Sequence, residues 1–240
     1  MSVRGASELE ARLHAPYQQA VNVEDTRVVI LPSSAPNAIE WAAERITTGG
    51  VIALPTDTVY GIAASLSHPE ALDRLFAIKE RPTERTIPIL VSSTDQLEHL
   101  TRDLDPDVAL LLQRYWPGPL TVVIPAREGM PGQVLGPGRT VGVRMPNHPL
   151  AIEVIAKAGG AIACTSANRF GEPPARSAQE VASTIGPRLD LILDGGLAPG
   201  GVPSSVVAFE GDEIKVLREG AIAAEHLAAT WRELRAGRSA

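Results

Sequence analysis

The segment Lys-Glu-Arg-Pro combines residue types that can bind phosphate. Lys79 and Arg81 stand two positions apart, and Arg85 follows four residues after Arg81. Cations that leave a helix at Pro82 can converge on phosphate oxygens, and arginine offers these oxygens a planar, bidentate geometry. Favourable contacts between basic side chains and the carboxyl end of a helix would explain the same residues. The motif alone therefore leaves both explanations open.

Hydroxyl and amide side chains follow two apolar segments that resemble strands. Thr58 lies in PTDTVYG after the run VIAL, where Tyr60 can form a wall, and Ser166 and Asn168 lie in TSAN after AIAC. Such groups can hold a small polar ligand or contact the phosphate, ribose or base edge of a nucleotide. Turns capped by their own Thr, Asp, Ser or Asn side chains are the alternative that local composition favours.

An arginine in the strand-like segment TVGVRMP is a further candidate. Strand alternation puts Thr140, Gly142 and Arg144 on one face. From that face Arg144 can reach a ligand carboxylate across the open backbone at the glycine. A solvent-facing arginine on a half-exposed strand is the simpler interpretation of the pattern by itself. Ser204 in PSS and Arg218 in LREG are equally ambiguous.

The sequence lacks the standard motifs of nucleotide-binding loops, hydrolases and metalloproteases. It contains no GxxxxGK[ST] loop, no GxGxxG after a strand, no GxSxG elbow and no HExxH helix. The histidines are scattered without metal-ligand spacing, and Cys164 is the only cysteine, which excludes an intramolecular disulfide or a cysteine-clustered zinc site. The residues by themselves indicate an anion-binding α/β enzyme and go no further.

The composition of the chain is that of a globular protein. Its 240 residues are 44% hydrophobic and 21% charged, which suits one large domain with modest extensions. The formal net charge of −6 counts against nucleic acid as the main ligand, so anion binding requires a local cluster of cations. No apolar run is long enough to cross a bilayer and no secretory signal is recognisable, so we expect a cytoplasmic protein without membrane association.

Strand and helix patterns that alternate along the chain would position these motifs. The strand at residues 51–54 runs into PTDTVYG, and a helix from Pro69 to Lys79 follows. A Leu-rich helix is expected further along, from Pro106 to Tyr115. Near the C-terminus, SVVAF and EIKVL flank the turn signal Glu210-Gly211-Asp212 and are expected to pair antiparallel. This order predicts an α/β fold, with a twisted mixed β-sheet flanked by helices.

Capping signals and composition set the expected boundaries. Asn37 with Glu40, and Ser177 with Glu180, have capping-box spacing, which predicts a helix beginning at each pair. We interpret residues 1–26 as an N-terminal extension with at most one short helix. Residues 27–222 would form the main domain, and residues 223–240 an amphipathic C-terminal helix.

Six motifs in fixed order resemble the YrdC-like threonylcarbamoyl-AMP synthase family. They are PTDTVYG, KERP, GVRMP, TSAN, PSSVV and LREG, and together they are far more specific than any one of them. The resemblance implies a YrdC-like fold with a concave cleft. It also implies an L-threonylcarbamoyladenylate synthase, which converts L-threonine, bicarbonate and ATP to L-threonylcarbamoyl-AMP and diphosphate. The product would serve N6-threonylcarbamoyladenosine modification of tRNA through a threonylcarbamoyl-transfer complex.

The resemblance also implies a role for each matching residue. Two residues, Lys79 and Arg81, would be catalytic. The side chains that should face ATP are Lys79, Arg81, Arg85, Thr140, Ser166, Asn168 and Arg218. Those that should surround threonine are Thr58, Arg144 and Ser204, with Arg144 pairing with the carboxylate. Mg²⁺ would enter with ATP and bridge its phosphates, without a metal site made by the protein.

Two positions depart from the pattern of the family, and two other functions compete. Leu90 stands where longer members have a histidine that touches threonine, and Pro174 stands where many members have serine. The first alternative function is an RNA-binding module of the same fold, for which weak tRNA binding would suffice. The second is carbamoyl transfer through carbamoyl-adenylate, although enzymes of that kind usually carry further domains.

Overall fold

A computed structural model describes residues 28–80 and 86–238 of the chain. These residues form ten strands and seven α-helices. The strands are β1 (Ile30–Pro32), β2 (Ile52–Leu54), β3 (Gly61–Ser65), β4 (Ile89–Val91), β5 (Leu120–Pro125), β6 (Thr140–Arg144), β7 (Ala161–Ser166), β8 (Leu191–Asp194), β9 (Ser205–Glu210) and β10 (Glu213–Arg218). The helices are α1 (Ala38–Thr47), α2 (Pro69–Lys79), α3 (Leu97–Leu100), α4 (Pro106–Tyr115), α5 (Pro149–Lys157), α6 (Ala178–Thr184) and α7 (Ala224–Arg238).

The ten strands form one mixed sheet in the order β1-β8-β2-β3-β7-β4-β6-β5-β9-β10. Parallel pairing joins β1 to β8, β8 to β2, β4 to β6, and β5 to β9. The other neighbours pair antiparallel, including the hairpin of β9 and β10 that was expected from the turn signal. The prediction of a mixed sheet flanked by helices is confirmed. Strands β2, β7 and β6, which carry or precede three of the polar motifs, lie inside the sheet, whereas β9 and β10 lie at one edge.

Hydrophobic side chains alternate between the two faces of the sheet and build two cores. The larger core lies under α2, α4, α6 and α7 and receives residues from strands along most of the sheet. The smaller core lies under α1 and α5 and takes strand residues from β1, β8, β2, β3, β7 and β4 only. In the part of the chain that the structure describes, the same face of β6, β5 and β9 is therefore left open. This open face forms the cleft.

The PTDTVYG motif is a hairpin loop and does not lead straight to a helix. Strand β3 follows it and pairs antiparallel with β2, with Leu54 opposite Gly61. Thr56 closes the loop, because its Oγ1 donates to the Val59 carbonyl oxygen at 2.7 Å. Strand β3 was missed from the sequence because all its residues are buried, and several are small residues with weak strand propensity.

The two predicted capping boxes have different outcomes. The prediction at Ser177 is confirmed, because its Oγ accepts a hydrogen bond from the Glu180 N–H at 3.2 Å. The Glu180 carboxylate accepts in turn from the N–H of Arg176 at 2.7 Å. At Asn37 the predicted start of the helix is confirmed, since α1 begins at Ala38, but the capping box does not form, because Asn37 has φ 58° and makes no side-chain capping bond. Asparagine tolerates this left-handed conformation better than most residues, which explains its presence there.

The helices predicted from hydrophobic periodicity are confirmed. Helices α2 and α4 have the expected bounds, and the larger core buries Leu227 and Trp231 of α7. None of the described helices is long and apolar enough to cross a bilayer. The extension assigned to residues 1–26 lies outside the described residues.

We expect Ser177→Ala to lower the free energy of unfolding by about 1 kcal/mol, because the Glu180 N–H loses its partner at the start of α6. Ser183→Ala is a matched control on the exposed side of the same helix, and it should change stability by less than about 0.5 kcal/mol. Chemical denaturation followed by circular dichroism measures both variants. Equal stability of the two would contradict the capping role.

Candidate functional site

A cavity of about 140 Å³ lies in the open part of the sheet, where the polar motifs meet. It is smaller than the roughly 300–1,000 Å³ typical of pockets for drug-sized ligands. It therefore suits a small polar molecule, and a nucleotide would extend beyond it. The cavity is lined by Thr56, Thr58, Val59, Tyr60, Gly61, Pro88, Leu90, Thr121, Arg144, Cys164, Thr165, Ser166, Pro203, Ser204 and Arg218.

Arg144 lies at the end of β6 and lines the cavity with only 6% of its surface exposed. Its Nε donates to the Gly118 carbonyl oxygen at 3.0 Å and its Nη1 to Thr58 Oγ1 at 3.0 Å. Its Nη2 donates to Asp57 Oδ1 at 2.5 Å in an ion pair. The interpretation of Arg144 as a solvent-facing residue is wrong, because neighbouring loops enclose the face that alternation assigned to it.

The electrostatics of Arg144 favour an anionic ligand. Burial lowers the pKa of Arg144, and the charge of Asp57 opposes this effect. Because the ordinary pKa of arginine is above about 12, the guanidinium stays charged at neutral pH. Its described hydrogen bonds use three of the five N–H donors of arginine. The remaining donors have no hydrogen-bond partner among the described residues and are available to a ligand in the cavity.

A chain of hydroxyl groups orients Thr58. Since Thr56 gives its hydroxyl proton to the Val59 carbonyl oxygen, Thr58 must be the donor in the 3.0 Å contact between the two threonines. Thr58 Oγ1 also accepts from Arg144. Its proton and one lone pair are thus committed inside the protein. The lone pair that remains can accept a hydrogen bond from an ammonium or hydroxyl group of a ligand.

Arg218 and Ser204 also line the cavity and contact each other. Arg218 donates from Nε and Nη2 to the Ser204 carbonyl oxygen at 3.1 and 2.7 Å, and from Nη2 to Ser204 Oγ at 3.2 Å. Burial, and secondarily the charge of Arg144, lowers the pKa of Arg218. Two guanidinium groups that disfavour each other therefore line one small cavity. An anion bound between them would relieve this repulsion.

Thr121 was missed as a site residue. It is 3% exposed, and its Oγ1 lies 2.9 Å from Ser204 Oγ. The alternation in LTVVIP puts Thr121 on the face opposite Leu120 and Val122, which is the only signal that the sequence offers. Only the pairing of β5 with β9 shows that this face meets Ser204.

Lys79 joins the KERP motif to the TSAN motif, 87 residues further along the chain. Its Nζ donates to the Ser166 carbonyl oxygen at 2.6 Å, to Ser166 Oγ at 3.2 Å and to Asn168 Oδ1 at 2.7 Å. Asn168 Nδ2 donates to the carbonyl oxygens of Arg169 and Glu172. The Asn168 amide is thus engaged at both ends and fixes the ammonium group relative to this loop.

Of the predicted ATP contacts, Thr140 lies apart from this group. Thr140 begins β6, about 13 Å along the strand from Arg144, and does not line the cavity. Its Oγ1 donates to the Pro137 carbonyl oxygen at 3.0 Å. Arg81 and Arg85 lie outside the described residues, so their roles stay predictions.

The back of the cavity is apolar and closely packed. Leu90 and Cys164 belong to the smaller core and also line the cavity. A Cβ atom at Gly61 would lie 2.5 Å from Cys164 Sγ, so only glycine fits there without displacement. The hydroxyl of Tyr60 donates to the Gly196 carbonyl oxygen at 2.7 Å, and burial raises the pKa of Tyr60 to about 12. Tyr60 contributes to the cavity lining, but its buried side chain packs in the larger core and is not an acid at neutral pH.

A metal site made by the protein is not found in the described ranges. No group of three or more His, Cys, Asp and Glu side chains there could hold an ion. The polar groups of the cavity are instead cations and hydroxyls, which suit the carboxylate and phosphate groups of ligands.

Comparison with known proteins agrees with this geometry. The Sua5/YciO/YrdC family model, described as telomere recombination, matches residues 44–220. The chain is 36% identical over 200 residues to threonylcarbamoyl-AMP synthase of Pyrococcus abyssi. This alignment covers 82% of this chain and 59% of the archaeal protein. It is 36% identical over 166 residues to the protein of the same name from Halorhodospira halophila, in an alignment that covers 69% of this chain and 87% of that protein.

A solved structure supports the same fold. The crystal structure of Pyrococcus abyssi Sua5 complexed with L-threonine matches with a TM-score of 0.79 at 34% identity, covering 85% of this chain and 60% of that one. The YrdC-like fold expected from the motifs is thereby confirmed. The chain spans about three fifths of the length of this archaeal relative.

We expect Cys164 to react slowly with a disulfide reagent in the folded protein. Burial raises the pKa of Cys164 to about 12, so the thiolate is scarce at pH 8. Labelling in urea should be faster by at least about tenfold, because the unfolded thiol has a pKa of about 8.5. The folded state retains a proton that the unfolded chain loses, so this group lowers stability as pH rises from about 9 toward 12. Equal labelling rates would contradict the burial of the thiol.

Proposed function

The chain belongs to the Sua5/YciO/YrdC family, and from this premise we propose that it is an L-threonylcarbamoyladenylate synthase. The proposed reaction converts L-threonine, bicarbonate and ATP to L-threonylcarbamoyl-AMP and diphosphate. The observation that carries the proposal is the small cavity in which Arg144 and Arg218 accompany the hydroxyls of Thr58 and Ser204. Relatives named threonylcarbamoyl-AMP synthase, and the L-threonine complex of one of them, support it.

The contacts around Arg144 suit an α-amino acid. The free N–H donors of Arg144 can bind the threonine carboxylate, and the free lone pair of Thr58 can accept from the ammonium or hydroxyl group. Ser204 extends the polar wall toward Arg218. The apolar surface of Leu90 and Cys164 leaves room for a short side chain with a methyl group.

The chemistry requires positioning and positive charge more than a strong base. The threonine amine, after losing a proton, adds to CO2 derived from bicarbonate and gives a carbamate anion. A carbamate oxygen then attacks the α-phosphorus of ATP, and the bond to the departing diphosphate breaks. The nucleophile is already an anion, so the protein contributes mainly by orienting the reactants and offsetting negative charge.

Cations beside the cavity are suited to ATP. Lys79 is held by Ser166 and Asn168, and Arg218 has an Nη1 group without a partner among the described residues. By resemblance, Arg81, Arg85 and Thr140 would extend this phosphate site. Mg²⁺ would arrive as part of the substrate, bridging the ATP phosphates.

The wider role follows from the product. Threonylcarbamoyl-AMP is a reactive mixed anhydride, and we propose that a threonylcarbamoyl-transfer complex uses it for N6-threonylcarbamoyladenosine modification of tRNA. Since the reaction uses ATP and its product would serve tRNA modification, we place the protein in the cytoplasm. An RNA-binding role is the second candidate, but a cavity of about 140 Å³ gives no specific support for it.

Incubation with ATP, bicarbonate and each amino acid in turn tests the function directly. Pyrophosphate release and the mass of the adenylate product are the measurements. We expect threonine to give the fastest release. A faster reaction with serine would contradict the substrate, and ATP consumption without any amino acid would favour carbamoyl-adenylate chemistry. Salt-sensitive RNA binding without threonine-dependent release would favour the RNA-binding alternative.

We expect Lys79→Ala to weaken ATP binding roughly ten- to a hundredfold, because the substitution removes a positive charge near the phosphates and the bonds that hold Ser166 and Asn168 in place. Arg81→Ala should act in the same direction. Lys157→Ala is the control, because Lys157 forms only an exposed ion pair with Glu40. Calorimetric titration with ATP and a thermal melt are the measurements. Wild-type ATP affinity in folded Lys79 and Arg81 variants would exclude a phosphate-binding role.

We expect Arg144→Lys to raise the KM for threonine at least about tenfold while ATP affinity without threonine changes little. An ammonium group cannot reproduce the planar fork that bonds Asp57, Thr58 and a carboxylate together. Threonine titration of pyrophosphate release at saturating ATP measures the effect. A folded variant with wild-type threonine dependence would disprove the assignment of Arg144 to the carboxylate.

A further inference from the structure

We propose that Asp57 is a positioning residue, which holds Arg144 in the orientation that binds the substrate carboxylate and thereby sets the affinity for threonine. The inference rests on the proposed function and deepens it. Asp57 does not line the cavity, and the family resemblance gives it no role. Its effect would therefore pass through Arg144.

Two hydrogen bonds fix the Asp57 carboxylate. Its Oδ1 accepts from Arg144 Nη2 at 2.5 Å and from the Asn147 N–H at 3.0 Å, and only 12% of its side chain is exposed. These bonds tie the β2–β3 loop to the end of β6 and to the residues just before α5. The backbone near Gly200 closes over this point, since a Cβ atom there would lie 2.7 Å from the Asp57 carbonyl oxygen. Asp57 is thus anchored independently of Arg144.

The guanidinium plane is fixed because its three bonds come from two separate segments, the β2–β3 loop and the residues just before β5. The Gly118 carbonyl oxygen and the Thr58 hydroxyl are neutral acceptors, whereas Asp57 supplies the one charged acceptor. All three bonds have a charged donor, but only the bond to Asp57 joins opposite charges and so adds the attraction of an ion pair. Without Asp57, the Nη2 edge of Arg144 would lose its strongest restraint. The Arg144 guanidinium would then become ordered only when the substrate carboxylate binds, and this would lower the affinity for threonine.

Arg144 is the cation with which Asp57 pairs at neutral pH. The other titratable group close to Asp57 is His148, and burial lowers the pKa of His148 below its ordinary value near 6.5, against the opposing charge of Asp57. His148 is therefore neutral at pH 7. Asp57 could still act in a second way, by repelling the substrate carboxylate. Positioning and repulsion predict opposite changes when the charge is removed.

The test compares Asp57→Asn with the wild type by threonine titration of pyrophosphate release at saturating ATP. Positioning predicts a KM for threonine raised roughly tenfold, with unchanged ATP affinity and a thermal midpoint close to that of the wild type. A lower or unchanged KM would overturn the proposal. Equal losses of affinity for threonine and for ATP would also overturn the proposal, because they would indicate a general structural role. Glu40→Gln, which removes an exposed ion pair with Lys157, is the matched control.

A double-mutant cycle separates action through Arg144 from direct action. In the Arg144→Lys background the guanidinium fork is already gone, so Asp57→Asn should add much less than it does in the wild type. Fully additive effects would overturn the proposal. If Asp57→Asn does not fold, Asp57→Glu, which keeps the charge but displaces it, should raise the threonine KM in the same way. Failure of the proposed function would appear in the wild type, as absent threonine-dependent release, whereas failure of this inference appears only in the variants.

Discussion

The guanidinium of Arg144 is the charged group around which the cavity is built. A buried cation is costly unless it is paired and its donors are satisfied, so it imposes strict demands on its surroundings. Asp57, Thr58 and the Gly118 carbonyl oxygen meet those demands from segments far apart in the chain. The need to stabilise one charge therefore determines how the β2–β3 loop and the segment before β5 approach the end of β6.

The same physical requirement acts at Lys79, on the side of the cavity where ATP is proposed to bind. Lys79 is 3% exposed, and its ammonium group is held by the oxygens of Ser166 and Asn168. Like Arg144, it is a cation that the fold has removed from water and fixed in place. Together with Arg218 these groups create a local positive region in a chain whose formal charge is −6. Local placement, and not net charge, governs which ligands such a protein attracts.

The open face of the sheet explains why these cations meet at a cleft. Helices α1 and α5 fill the smaller core only as far as β4, and the larger core closes the opposite face. Beyond β4, strands β6, β5 and β9 have no helical cover on that side within the described residues. The strand ends around this boundary supply Arg144, Thr121 and Ser204. The absence of a helix over part of one face therefore creates the concave site.

Hydrophobic periodicity and the ordered motifs by themselves determined the mixed α/β fold, helices such as α2 and α4, and most of the residues that meet at the cavity. Alternation along β6 even identified the correct face of Arg144, because the two-residue period of a strand is a local property. Exposure, by contrast, depends on which loops pack over that face, and so the strand pattern by itself favoured a solvent-facing Arg144. Strand β3 was missed because its buried, mostly small residues show no alternation of polar and apolar side chains. Only the tertiary structure brought Asp57 to Arg144 and Thr121 to Ser204, because strand order and loop packing join residues that no local pattern relates.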